Sequence, residues 1–212
     1  MNKYKLSASK VTIIAEAGVN HNGSIDIAKQ LIDVAYNAGA DFVKFQTFKA
    51  ESVASKFADK AEYQKNLTDE SESHIDMLKK LELDKSQHIE LINYCNKKNI
   101  QFLSTAFDIE SVNLLEELKI LFYKIPSGEI TNLPYLRQVG GMGKPVIMST
   151  GMANLDEIRA TMDVLLKTGL EKDNITILHC NTEYPTPIQD VNLKAMVTIK
   201  SKFNTSVGYS DH

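Results

Sequence analysis

Phe42-Val43-Lys44-Phe45-Gln46 reads as a β-strand in which Val43 and Phe45 take one face and Lys44 and Gln46 the other, and it ends in residues with usable chemistry. It is one of seven such runs. The others are Ile13-Ile14-Ala15-Glu16, Phe102-Leu103-Ser104-Thr105, Phe122-Tyr123-Lys124-Ile125, Val146-Ile147-Met148-Ser149-Thr150, Ile175-Thr176-Ile177-Leu178-His179 and Ser206-Val207-Gly208-Tyr209-Ser210-Asp211-His212. Each of the first six is followed by a helix-like stretch. Repeated strand-helix units with polar residues at every strand end are the pattern of an α/β protein of the (β/α)8 TIM-barrel type, whose active site is built from the loops at the C-terminal rim. The seven polar ends are therefore expected to meet in one pocket. A doubly wound open sheet is the competing architecture. No Gly-x-Gly-x-x-Gly turn follows the first strand, which counts against it.

The chain has 212 residues, and seven strand starts are legible where a complete barrel has eight; such barrels usually need about 250 residues. Because it stops at His212, directly after a strand, residues 1–212 are expected to form a single barrel domain truncated after the seventh strand. A hydrophobic content of 43%, a charged content of 24% and a net charge of -3 describe an ordinary globular protein, with no positive excess to attract nucleic acid or anionic lipid. Cys95 and Cys180 lack the paired spacing of a zinc or redox site, which suits a reducing cytoplasm. The N-terminus is polar, and no apolar stretch approaches the ~20 residues that span a bilayer, so neither export nor insertion is expected. Asn66-Leu67-Thr68 and Asn174-Ile175-Thr176 match the glycosylation pattern by chance.

Between the runs, Ser24 caps a predicted helix with apolar positions Ile27, Leu31, Ile32, Val34 and Ala35, ended by Gly39. Phe48 to about Leu83 is long, charged and poorly periodic, and is expected to be a large second loop with some helix near His74 to Leu81. Further helices are expected over Ser86–Lys98, Ile109–Leu118, Leu133–Val139, Leu155–Lys167 and Leu193–Lys202, with Asp108, Asn132 and Asn154 as N-caps.

Several rim residues carry chemistry that packing does not require. Glu16 ends a strand, where burying a carboxylate is costly unless it is paired or functional; Asn22 and Gly23 after it also suit a plain turn. Lys44 and Lys124 are expected to point inward. With Thr105, Ser127, Ser149 and Ser210 they would make a cage for phosphate or carboxylate oxygens. The competing reading pairs the two lysines with Glu16 and Glu129 in a structural network, and both can hold for the same residues. His74 and His88 are expected on the surface, and His179 is either a core or a pocket histidine. His212 is a candidate ligand for a divalent metal, although one histidine does not make a site. Cys180-Asn181-Thr182-Glu183-Tyr184-Pro185-Thr186-Pro187 suits orientation of a polyol or sugar, or is an ordinary proline-stiffened loop.

Side by side, these segments resemble the catalytic domain of the sialic acid synthase family, the N-acetylneuraminate, legionaminate and pseudaminate synthases. The matching motifs are IIAEAGVNHNG (13–23), GADFVKFQTFKAE (39–51), FLSTAFD (102–108), YKIPSGEITNLP (123–134), GKPVIMSTGMA (143–153), LHCNTEYPTP (178–187) and VGYSDH (207–212). Seven motifs in one order over nearly the whole chain are far more specific than any one of them. The resemblance implies a metal-dependent condensation of phosphoenolpyruvate with an N-acylated amino sugar, either ManNAc or a 2,4-diacetamido-trideoxyhexose, giving a nine-carbon 2-keto acid and phosphate. It implies that Lys44, Thr105, Lys124, Ser127, Ser149 and Ser210 hold phosphoenolpyruvate, and that Gln46 and Tyr184 face the sugar. Glu16 would move protons or position water, with Glu129 as second carboxylate. His212 would be one of two histidines on a divalent metal, Mn2+ first, with Mg2+ or Co2+ as alternatives.

The resemblance also implies a homodimer, and an eighth strand and antifreeze-like C-terminal domain that this chain lacks. The chain alone is then expected to be inactive. Asn181-Thr182 departs from the family's usual pattern after the sixth strand. The competing functions are a phosphoenolpyruvate-condensing barrel of the 3-deoxy-octulosonate or 3-deoxy-heptulosonate phosphate type, and a non-catalytic sugar- or phosphate-binding remnant. The first would need a basic cluster for a sugar phosphate that the rims do not show.

Overall fold

Largely apolar strands alternate with helices along the chain, and most of the helices begin at a residue whose side chain accepts from a backbone N–H left open in the first turn. The computed structural model describes residues 10–55 and 72–212. Tyr63 and Asn66 of the second loop lie outside the described residues. The described residues fall into two compact units, one spanning Thr12–Lys119 and the other including Ile120–His212.

In the first unit the order is β1 (Ile14–Gly18), α1 (Ile25–Asn37), β2 (Phe42–Thr47), α2 (Ala50–Val53), α3 (His74–Lys79), α4 (Lys85–Lys98), β3 (Gln101–Ala106) and α5 (Ile109–Glu117). The strands β1, β2 and β3 are parallel and adjacent in sequence order. Ser24 accepts from the Ile27 N–H, as its position in sequence predicts. Asp84 and Gln87 form a reciprocal capping box on α4, and Asp108 caps α5 through the Ser111 N–H. Val43, Phe45 and Phe102 pack with Ala28, Ile32, Leu91 and Cys95 of the neighbouring helices into one buried cluster. Each such side chain, fully buried, contributes about 1.5–3 kcal/mol of transfer free energy. This leaves Lys44, Gln46 and Thr105 on the opposite face.

The second unit contains β4 (Tyr123–Ile125), α6 (Leu133–Gly141), β5 (Val146–Ser149), α7 (Leu155–Lys167), β6 (Ile175–His179), α8 (Lys194–Phe203) and β7 (Ser206–Tyr209). These four strands are also parallel and ordered as in the sequence. Asn132 caps α6, and Asn154 caps α7 in a second capping box with Glu157. Thr150 ties the end of β5 to β6, its hydroxyl donating to the Leu178 carbonyl at 2.8 Å.

One expectation fails here. His88 is not on the surface but fully buried, because the first turn of α4 turns it onto Phe102, with ring centroids 6.1 Å apart. His74 is half-buried. Among the described residues no helix is long and apolar enough to cross a membrane.

Candidate active site

Parallel register places Glu16 beside Lys44, and Gln46 beside Thr105, on one face of the first unit's sheet. The Lys44 ammonium forms an ion pair with the Glu16 carboxylate and donates to the Thr105 hydroxyl at 3.2 Å. Burial differs between the partners: the Lys44 side chain is 12% exposed and that of Glu16 44%. A largely desolvated ammonium needs an anionic partner; a half-solvated carboxylate can be displaced from it or can reach a ligand. The structure thus shows the Lys44–Glu16 pair of the network reading, and the geometry leaves the cage reading open on the same atoms.

β1 breaks its register between Glu16 and Gly18, and Gly18 sits at φ +54°, a left-handed conformation natural to glycine. A Cβ there would lie 3.1 Å from Glu16 Oε1 and 3.6 Å from Gln46 Nε2, so the carboxylate folds over this bare backbone toward Gln46. Asn22 and Gly23 form a tight turn with positive φ, in line with their simpler reading. His21 is buried in that turn, its Nδ1 accepting from the Gly23 N–H at 3.0 Å, and burial followed by the neighbouring His88 holds its pKa below the usual histidine value.

In the second unit, Lys124 stands beside Ile147, and Ser149 lies two residues further along β5, so alternation puts both on one face. Lys124 is half-buried and Ser149 buried. The Gly151 N–H points at both the Ser127 hydroxyl oxygen, at 3.0 Å, and Cys180 Sγ, at 3.1 Å. A Cβ on Gly151 would stand 2.7 Å from Thr182 Oγ1, 3.1 Å from Ser127 Oγ and 3.3 Å from Cys180 Sγ. Gly151 and Cys180 were not singled out from sequence as site residues; the signal available was a glycine directly after the Ser149-Thr150 strand end. Thr182 covers this spot, while the Asn181 amide donates to the Asp190 carbonyl at 3.1 Å.

Glu129 accepts from Asn132 Nδ2 at 2.6 Å and thereby steadies the cap of α6. Tyr184, Ser210 and His212 come together: the Tyr184 and His212 rings meet edge-on at 4.4 Å, and His212 Nε2 lies 3.4 Å from the Ser210 hydroxyl. His179 shares the face of Ile175 and Ile177 and stacks on Tyr209 at 5.7 Å; it is half-buried, burial lowers its pKa, and its Nε2 is buried with no hydrogen-bond partner among the described residues, so the core and pocket readings both stand. Among the described residues no group of three or more His, Cys, Asp or Glu side chains could hold a metal ion.

The sequence profile of the NeuB family matches residues 31–212. The chain belongs to the NeuB family. It is 57% identical, over 96% of its length, to an N,N'-diacetyllegionaminic acid synthase of Campylobacter jejuni. A second N,N'-diacetyllegionaminic acid synthase, from Legionella pneumophila, is 47% identical over the whole chain. The chain spans 61% of the length of each. The crystal structure of an N-acetylneuraminic acid (sialic acid) synthetase from Leptospira borgpetersenii, in complex with citrate, superposes with a TM-score of 0.81 at 32% identity, covering 95% of this chain and 66% of that one. The α/β fold of the TIM-barrel type expected from the seven strand ends is thus the fold of this NeuB chain.

Proposed function

We propose that this NeuB chain is the catalytic barrel of a synthase that condenses phosphoenolpyruvate with an N-acylated amino sugar, a 2,4-diacetamido-trideoxyhexose first and ManNAc second. The product is a nine-carbon 2-keto acid, three carbons from phosphoenolpyruvate and six from the sugar. The observation that carries the reading is the 57% identity to a diacetyllegionaminic acid synthase across 96% of the chain. C3 of phosphoenolpyruvate attacks the sugar aldehyde, whose oxygen takes a proton. Water adds at C2, and the resulting tetrahedral carbon expels phosphate and becomes the keto group.

Within the first unit, Lys44 and Thr105 are assigned to the phosphoenolpyruvate anion and Gln46 to the sugar. Glu16 moves a proton or positions water, roles that suit a half-exposed carboxylate beside an ammonium. Within the second, Lys124, Ser127, Ser149 and Ser210 are assigned to phosphoenolpyruvate, Tyr184 to the sugar, and Glu129 serves as the second carboxylate. Ser127 accepts from the Gly151 N–H and lies 3.5 Å from Cys180 Sγ, so its hydroxyl hydrogen reaches an anion by turning from the sulfur, or directly where Cys180 is the donor. His212 is the metal-ligand candidate, for manganese, magnesium or cobalt. The described residues bring one imidazole, one phenol and one hydroxyl to that point, with the Asp211 carboxylate accepting from the His212 backbone N–H, fewer strong donors than a divalent cation needs, so they do not fit a metal site by themselves. The reading takes residues 1–212 as part of one barrel domain, in a cytoplasmic homodimer whose thiols Cys95 and Cys180 stay reduced.

The test is phosphate release from phosphoenolpyruvate by a protein carrying this chain, with the diacetamido sugar and ManNAc offered side by side. Release with the diacetamido sugar supports the reading in full, and release with ManNAc alone moves the substrate to the sialate type. Tight phosphoenolpyruvate binding without release on either sugar would favour a binding remnant over an enzyme.

A further inference from the structure

On the face of β2 and β3 opposite Lys44, three polar side chains are buried that the reading above does not use. Thr47, Ser104 and His88 are 2%, 0% and 0% exposed. Thr47 Oγ1 lies 2.7 Å from His88 Nε2 and 2.6 Å from Ser104 Oγ, and His88 Nδ1 lies 2.8 Å from the Asp84 carbonyl oxygen. A carbonyl oxygen only accepts, so Nδ1 carries the ring hydrogen and Nε2 presents its lone pair. The Thr47 hydroxyl must then donate to Nε2, and Ser104 must donate to Thr47. Every hydrogen in the chain has one place to go, which makes the link directional and stiff.

Its position matters because of what lies one residue away. Gln46 precedes Thr47, Thr105 follows Ser104, and register pairs Gln46 directly with Thr105. Side chains alternate across a strand, so Thr47 and Ser104 face α4 while Gln46 and Thr105 face the candidate site, where Thr105 receives the Lys44 ammonium. Asp84, at the far end of the link, is the N-cap of α4 and accepts from its Gln87 N–H. The helix start and the two strand ends are thereby joined by one row of hydrogen bonds.

We propose that His88 is a positioning residue: acting through Thr47 and Ser104, it holds the C-terminal ends of β2 and β3 so that Lys44, Gln46 and Thr105 stand ready for the phosphoenolpyruvate anion. This rests on the assignment of Lys44 and Thr105 to that anion. A histidine on the outer helix therefore acts on ligand binding without touching ligand.

The test uses the whole 212-residue chain and three variants. His88→Leu fills the space without an acceptor, Thr47→Val keeps the shape without the hydroxyl, and His88→Gln returns an acceptor near the place of Nε2. Ile32→Val, in the same apolar cluster, is the control for lost packing alone. Two quantities are read: phosphoenolpyruvate affinity by calorimetry, and NMR shifts of the Lys44 and Thr105 side chains without ligand. Affinity is expected to fall about tenfold in His88→Leu and Thr47→Val, to recover in His88→Gln, and to stay unchanged in Ile32→Val. The Lys44 and Thr105 signals should move in the first two variants only. If they stay in place in both His88→Leu and Thr47→Val, the proposal is overturned, whether or not ligand binds. Should Thr47→Val alone fail to fold, His88→Leu against His88→Gln decides the matter. The anion assignment fails separately, if Lys44→Ala binds phosphoenolpyruvate as tightly as the unmodified chain.

Discussion

The two clusters to which the proposed anion is assigned are built in different ways. In the first unit a nearly buried ammonium is held by a carboxylate and a threonine hydroxyl, so the positive charge is balanced within the protein. In the second, the part around Ser127 is neutral: a backbone N–H, a hydroxyl and a thiol surround Gly151. The difference lies in what a ligand must displace. An anion at Lys44 competes with Glu16, whereas one at Ser127 competes only with the weak contact of its hydroxyl to Cys180 Sγ at 3.5 Å. Charge gives strength at the first cluster, and backbone placement gives shape at the second.

Glu16→Gln should have the largest effect. It keeps the size of the side chain and removes its base, so phosphate release is expected to fall roughly a hundredfold to ten-thousandfold. Because it also removes the carboxylate that competes for Lys44, phosphoenolpyruvate affinity should stay the same or tighten. A variant that loses affinity while keeping turnover would reverse the roles given to the two members of the pair. Lys44→Ala comes next: loss of a charge-assisted hydrogen bond costs ~1.5–3 kcal/mol, about tenfold to a hundredfold in phosphoenolpyruvate affinity by calorimetry. An equal effect on thermal stability with no effect on binding would leave Lys44 a structural ion pair.

At the neutral cluster, Gly151→Ala puts a methyl 2.7 Å from Thr182 Oγ1 and 3.1 Å from Ser127 Oγ. Overpacking of this sort costs about 1–3 kcal/mol, to be read as a lower denaturation midpoint. Phosphoenolpyruvate affinity should fall with it, since Ser127 must turn; an alanine accommodated at no cost in either measure would show that shape is not what this cluster supplies.

The smallest effect is one of pH. Burial lowers the pKa of His88, and its neutral form fits the fold, so the unfolded chain takes up a proton more readily below pH 6.5. The stability this contributes is present above pH 6.5 and is lost as pH falls through the lowered value in the folded state. Chemical denaturation at pH 7.5 and 5.5 should show His88→Gln losing less stability on acidification than the unmodified chain. Equal losses would mean that other groups, His21 among them, carry the acid sensitivity.

Much of this protein was legible without coordinates. The strand runs, the caps at Ser24, Asp108, Asn132 and Asn154, and the facing of Lys44 and Gln46 away from Val43 and Phe45 follow from local periodicity and from side chains that bond their own neighbours. Such features need only a few consecutive residues, so a linear reading reaches them. Motif order over the chain was enough to point to the NeuB relatives later matched by profile. Tertiary structure alone decided which distant groups satisfy one another. It buried His88 against Phe102 and joined it to Thr47 and Ser104, and made Gly151 the point on which Ser127, Cys180 and Thr182 converge. The physical reason is that a buried polar group must find a partner, and the nearest partner in space is set by register and helix packing rather than by distance along the chain.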